Sequence, residues 1–197
     1  MKSKLLILVL LSSALFFQAC NNGENDSVEQ ANEANERNDM NTGTDTVASM
    51  NTVDENDAEF MVEAASGGMM EVELGNMAQQ KSSNARVKGF GEMMVRDHSG
   101  ANEELKNLAS LKNVTLPATM GDKHQKNVNN LRDKPAKDFD KAYINMMIDD
   151  HKEDINKFER AASNAKSPDV KSYAAKTLPV LRVHLDSAKA IGAAFKQ

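Results

Sequence analysis

One cysteine, no tryptophan and four prolines in 197 residues leave this chain few devices for holding itself together besides aliphatic and methionine side chains. A lone thiol cannot close a disulfide within the chain, so a domain of this length must stand on its hydrophobic core. It is long enough to do so. No stretch alternates apolar and polar residues as a half-buried strand would, which excludes a sheet-based fold. No Gly-rich loop follows a strand, and no serine sits in an elbow-like motif with histidine and aspartate, so phosphate binding and serine hydrolysis find no support. Basic stripes are also missing. The part of the chain after residue 56 is nearly neutral, which leaves no electrostatic footprint for nucleic acid.

What the chain does have begins at its first residues. Lys2 and Lys4 precede an unbroken apolar run from Leu5 to Phe17, followed by Gln18, Ala19 and Cys20. A spanning helix needs about 20 apolar residues, so this run reads as an export signal over residues 1–19. Ala19 before Cys20 matches the small residue at a lipoprotein cleavage site, although Phe17 stands where the strict pattern prefers leucine. The expectation is a lipid on Cys20 that anchors the mature protein in the cell envelope, on the periplasmic face of an outer membrane. An ordinary secretory signal with an incidental cysteine is the alternative. Residues 20–56 carry nine acidic side chains against a lone Arg37 and contain no aromatic residue. Such a composition predicts a disordered acidic tether acting as a spacer.

Residues 57–197 form the expected folded domain. Apolar residues recur there at intervals of three and four, which makes the fold class all-α. A first helix over Asp57–Gln80 presents Ala64, Gly68, Gly75 and Ala78 as a face of small residues. A second, over Asn84–Lys112, lines up Val87, Phe90, Met94, Ala101 and Leu105. A short amphipathic piece over Met120–Leu131 is a connecting helix. A third helix spans Ala136–Lys166 with Phe139, Tyr143, Met147 and Phe158 inward. Ser167-Pro168 reads as the cap and first position of a fourth, which carries Val170, Leu181, Leu185 and Ile191. The predicted architecture is a ferritin-like, up-down four-helix bundle with its connecting helix between the second and third helices.

An internal repeat is the most specific signal. Phe90, Met93-Met94-Val95 and Asp97-His98 recur in register as Tyr143, Met146-Met147-Ile148 and Asp150-His151. Two related helical hairpins are therefore expected. Together with Gly67-Gly68, Glu71-Val72-Glu73-Leu74-Gly75, Leu116-Pro117, Phe139 to Tyr143 and Leu178-Pro179 before His184, this pattern resembles a domain-of-unknown-function family numbered four-one-four-two. That resemblance implies a ferritin-like fold and export, and no activity. A smaller resemblance is to periplasmic ferritin-like copper-binding proteins that use methionine and histidine on facing helices.

Three histidines fall on otherwise apolar helix faces. His98, His151 and His184 each lie about 40° from the centre of their stripe, and Glu71 lies about 30° from the centre of the first helix. Counted from the connecting turns, His151 and His184 differ in level by roughly 3 Å, and Glu71 and His98 by roughly 7 Å. Buried imidazoles and carboxylates need partners or a metal. Either these four ligate a transition metal, with Asp97, Asp150 and Asp154 as supporting groups or extra ligands, or the same residues form a hydrogen-bonded polar layer that only sets helix register. Nitrogen and oxygen donors suit zinc or copper. Iron fits less well, because Val95, Ile148 and Leu181 occupy the positions where a Glu-x-x-His di-iron motif needs glutamate. His124, flanked by Lys123 and Lys126, reads as solvated. No catalytic residue is assigned, and a homodimer through the small-residue face or an envelope protein partner stays open.

Overall fold

In a computed structural model of the chain, the described residues are 26–42 and 53–195. The expected export signal over 1–19 and the expected lipid site Cys20 lie outside them. Every element among them is a helix: α1 (Ser27–Thr42), α2 (Glu55–Lys81), α3 (Ala85–Leu111), α4 (Asp122–Arg132), α5 (Ala136–Asn164) and α6 (Pro168–Ala194). None of these is long and apolar enough to cross a membrane.

The long helices begin where polar side chains take up free backbone donors. Asp54 accepts from the amide of Asn56 and Asn84 from that of Arg86. At α6 the expected cap is in the right place but works differently. Ser167 makes no side-chain cap bond. The Asp57 carboxylate reaches across from α2 and accepts from the amides of Lys166, at 3.1 Å, and Ser167, at 2.7 Å. A long-range acceptor thereby joins the start of α2 to the α5–α6 turn. Pro179 lies inside α6 without ending it.

α2 packs along α3, and α5 along α6, in two antiparallel pairs that meet through α2 with α5 and α3 with α6. Gly75 and Gly91 set the closeness of the first pair. A β-carbon on either would stand 2.7 Å from the carbonyl oxygen of the other. The expectation that each long helix reverses the previous one holds within each pair but fails between them. Phe90 meets Tyr143 with ring centroids 5.9 Å apart, and His98 meets His151 at 5.7 Å. The two copies of the repeat therefore run in the same direction. The chain must travel back along the molecule between α3 and α5, and α4 is that return. His124 packs at Ser66, Arg132 pairs with Glu73, and Lys81 donates to the carbonyls of Arg132 and Lys134 at the end of α4.

Two apolar clusters fill the interior. One holds Met70, Leu74, Phe90, Met94, Phe139, Tyr143 and Met147. The other holds Met61, Leu105, Phe158, Tyr173 and Leu178. Between them the helices pass through a layer where the inward residues are polar.

The acidic segment departs from the expected disorder. Ser27–Thr42 is helical, and its Ala31 is buried. Asn35 accepts from the Thr115 amide at 2.7 Å and donates to the Thr115 carbonyl at 3.0 Å, while Asp26 accepts from the Asp122 amide. Composition alone favours an unfolded chain here. A few specific contacts to the α3–α4 connection hold it in place instead.

Gly91→Ala should lower stability by about 1–3 kcal/mol, because the Gly75 carbonyl leaves no room for the methyl group. Gly100, where a β-carbon meets nothing within 4 Å, is the contrast. Gly100→Ala should raise stability by about 0.5–1 kcal/mol through helix propensity. Chemical denaturation of both variants against the parent reads the opposite signs.

Candidate metal centre

Each of the four long helices sends one polar side chain into the layer between the apolar clusters. His98 and His151 stand one turn beyond the buried Met94 and Met147, so helical periodicity carries them to the same interior face. Glu71 reaches the layer from α2 and His184 from α6, both almost wholly buried. The repeat's common direction puts His98 and His151 at one depth. Glu71 and His98 were expected to differ in level by about 7 Å along their helices, and their side chains nonetheless meet, with Glu71 Oε2 2.7 Å from His98 Nδ1.

The hydrogen bonds fix where protons sit. His151 Nδ1 is 3.0 Å from the Met147 carbonyl, which can only accept, so His151 carries its proton there and turns a lone pair on Nε2 inward. His184 Nε2 is 3.0 Å from Asp97 Oδ2. A hydrogen bond from Arg96 holds Asp97 below the usual carboxylate range, so Asp97 is ionised and His184 Nε2 is the donor. His184 Nδ1 then also presents a lone pair. These two bare nitrogens face each other at 3.3 Å. His98 Nε2 and Glu71 Oε1 are buried without a hydrogen-bond partner. Oε1 stands 3.4 Å from His151 Nε2 but outside hydrogen-bond alignment.

Electrostatics push the layer toward neutrality. Burial lowers His98 to about 4, against the opposing pull of Asp154 and Asp97. It also lowers His151 strongly, and His184 less, since Asp97 favours its charged form. Burial raises Glu71 well above the ordinary carboxyl range, and nearby Asp154 raises it further. Asp150 is raised by burial and then by Glu71, and Asp154 by burial with Lys157 opposing. In all three the direction of the shift is toward the protonated form.

Ring nitrogens of His98, His151 and His184 can be chosen within 4.8 Å of one another, and Glu71, Asp150 and His151 form a second such set. A tetrahedral ion with bonds of about 2.0–2.1 Å has ligand atoms about 3.3–3.4 Å apart. Both the His151–His184 and the His151–Glu71 separations fall at that value, so the cluster could hold a metal ion.

The seven residues singled out from sequence all lie in or beside this layer. Asp97 orients His184, Asp150 flanks Glu71 and His151, and Asp154 is 3.8 Å from Lys157. His124 does not match its expected place in solvent. It is 5% exposed, and its Nδ1 lies 2.6 Å from Ser66 Oγ, which also accepts from the Gly121 amide at 2.8 Å. The packing of α4 on α2 buries it, and the signal was there in the spacing, since His124 shares one face of α4 with the buried Val128 and Leu131 four and seven residues on. Tyr143 was read only as an apolar core residue. Its hydroxyl is buried without a partner, and the charge of Glu71 adds to the burial that raises it.

With the geometry in hand, three comparisons place the chain among known proteins. A family described as "Domain of unknown function (DUF4142)" matches residues 42–191. No curated protein sequence matches. Among solved structures, a DUF305 fragment from Deinococcus radiodurans is similar, with a TM-score of 0.64 and 11% identity, covering 72% of this chain and 98% of its own. CopM in its Cu(II)-bound form is similar too, with a TM-score of 0.61 and 17% identity, covering 71% of this chain and 97% of its own. At these identities the likeness is one of helical fold.

His124 supplies a pH test independent of the metal question. Burial, aided by Lys157 and Lys123, pushes it from 6.5 down to about 4. Between those values the unfolded chain binds a proton that the folded one does not. The stability His124 contributes is complete above about pH 6.5 and is lost as pH falls toward 4. His124→Gln should therefore flatten the fall of stability across that window, as read from urea midpoints at a series of pH values.

Proposed function

The chain belongs to the DUF4142 family, and from that footing we propose that its domain is a ferritin-like four-helix bundle that holds one transition-metal ion. The ligands are His98, His151, His184 and Glu71. Two antiparallel helix pairs joined by one long return connection are the layout of ferritin-like bundles. The observation that carries the metal reading is the pair of bare nitrogens, His151 Nε2 and His184 Nδ1, facing each other at 3.3 Å beside the unpartnered Glu71 Oε1. Two lone pairs repel at that distance. A cation between them converts the repulsion into two bonds, and ionising Glu71 supplies charge.

Asp97 fits the carboxylate that orients a metal-bound imidazole through its far nitrogen. Burial disfavours the ionised forms of Glu71 and Asp150, and a divalent ion beside them would supply the compensating charge. Three imidazoles and a carboxylate favour copper(II) or zinc over iron. One structural neighbour is Cu(II)-bound, which makes copper(II) the first ion to try.

A second reading rests on the His98–Glu71 and His184–Asp97 contacts, which satisfy each other without an ion. In that case the layer fixes helix register, and the domain is a structural or protein-interaction module of the envelope.

The proposal includes export and a lipid on Cys20, which would fasten the domain to the periplasmic face of an outer membrane. With α1 packed on the domain, only residues 21–25 separate Cys20 from Asp26. The anchor then reaches at most about 20 Å. This is a short leash, in place of the long spacer that composition alone suggested.

Metal content of tag-free protein and its melting temperature with added copper(II) or zinc test the metal. Saturating ion at a hundredfold over Kd should stabilise by about 2.7 kcal/mol, a rise of several degrees. Glu71→Gln should melt no lower than the parent without metal and should lose most of the metal-induced rise. An unchanged melting temperature with metal would favour the register-setting layer. For the anchor, Cys20→Ser should move the protein from the detergent phase to the aqueous phase on Triton X-114 partition.

A further inference from the structure

A cavity of about 20 Å³ lies against the imidazole layer, walled by Glu71 and His98 together with Ala64, Ala101, Asn102 and Asp154. It is large enough for one water-sized molecule. Glu71 and His98 belong to both the cluster and the cavity wall, and each has one polar atom buried without a hydrogen-bond partner. The helices leave this space because their residues here are small. At Gly68 a β-carbon would collide with the Asn102 amide, so glycine is what lets Asn102 lie over α2 beside the cavity. Asn102 and Ala101 are half-buried, whereas Glu71 and His98 are buried. The space therefore leads from the less buried edge of the α2–α3 contact to the layer.

We infer that this cavity is the position for one small exogenous ligand on the metal, a water-sized molecule or small anion admitted past Asn102. The inference rests on the metal reading above and goes beyond it. A structural ion is closed off by protein ligands, whereas a reactive one keeps a position for something else. His98 and Glu71 hold the ion from the cavity side, and zinc and copper(II) accept a fifth ligand beside three imidazoles and a carboxylate. Asp154 stands in the same wall. The domain then does more than store an ion, because a small molecule can reach it.

Azide titrated into the Cu(II)-loaded protein, followed by its charge-transfer absorption, tests this. The expected result is a saturable band with one azide per copper. Ala101→Val, which fills the cavity from α3 and touches no ligand, should weaken azide binding at least tenfold and leave copper uptake unchanged. Ala64→Val fills it from α2 and serves if the first variant fails to fold. Copper uptake with no azide band in the parent, or undiminished azide binding in a folded, copper-loaded filled variant, overturns the inference and leaves the metal reading standing. Failure to take up copper(II) or zinc at all overturns both.

Discussion

Placing three imidazoles and a carboxyl in the middle of a helical interior is the constraint from which most of this molecule follows. Desolvation there disfavours every charged form. It pushes the histidines down and Glu71 up, toward their neutral forms, and it makes each unpaired lone pair costly. Partners are therefore specified atom by atom. The Met147 carbonyl takes one proton of His151, and Asp97 takes one of His184. What remains are two bare nitrogens 3.3 Å apart and a carboxyl oxygen 3.4 Å from one of them, in a cluster that could hold a metal ion.

The apolar clusters on either side make that arrangement rigid. Each is contributed by all four long helices, so the polar layer cannot shift without disturbing close packing above and below it. The symmetry of the layer comes from the repeat. His98 and His151 are equivalent residues that meet in the layer, and Glu71 and His184 come from the other helix of each pair. Asp97 stands by His184 as Asp150 stands by Glu71. The two halves differ where chemistry differs, because α2 supplies an acid and α6 a base.

Much of this was legible in the chain. The boundaries of α2, α3, α5 and α6 follow from capping residues and periodicity, and the inward placement of His98, His151 and His184 follows from their angular position on apolar stripes. Periodicity is a local property, so it survives into the fold. His124 shares the apolar face of α4 with Val128 and Leu131, so its inward direction was legible too, but the Ser66 partner that lets a histidine sit there was not. The helix at Ser27–Thr42 was not legible, because it depends on the Thr115 backbone brought to it by another segment.

The sequence by itself determined the all-helical class, the repeat and which residues face inward, because 3.6-residue periodicity and terminal capping act within a few residues of chain. Only the tertiary structure decided that α3 and α5 run the same way with α4 as the return, since direction is set by packing between helices distant in sequence. It alone decided which nitrogen of each histidine is free, because a proton's place depends on the acceptor that the fold sets against it.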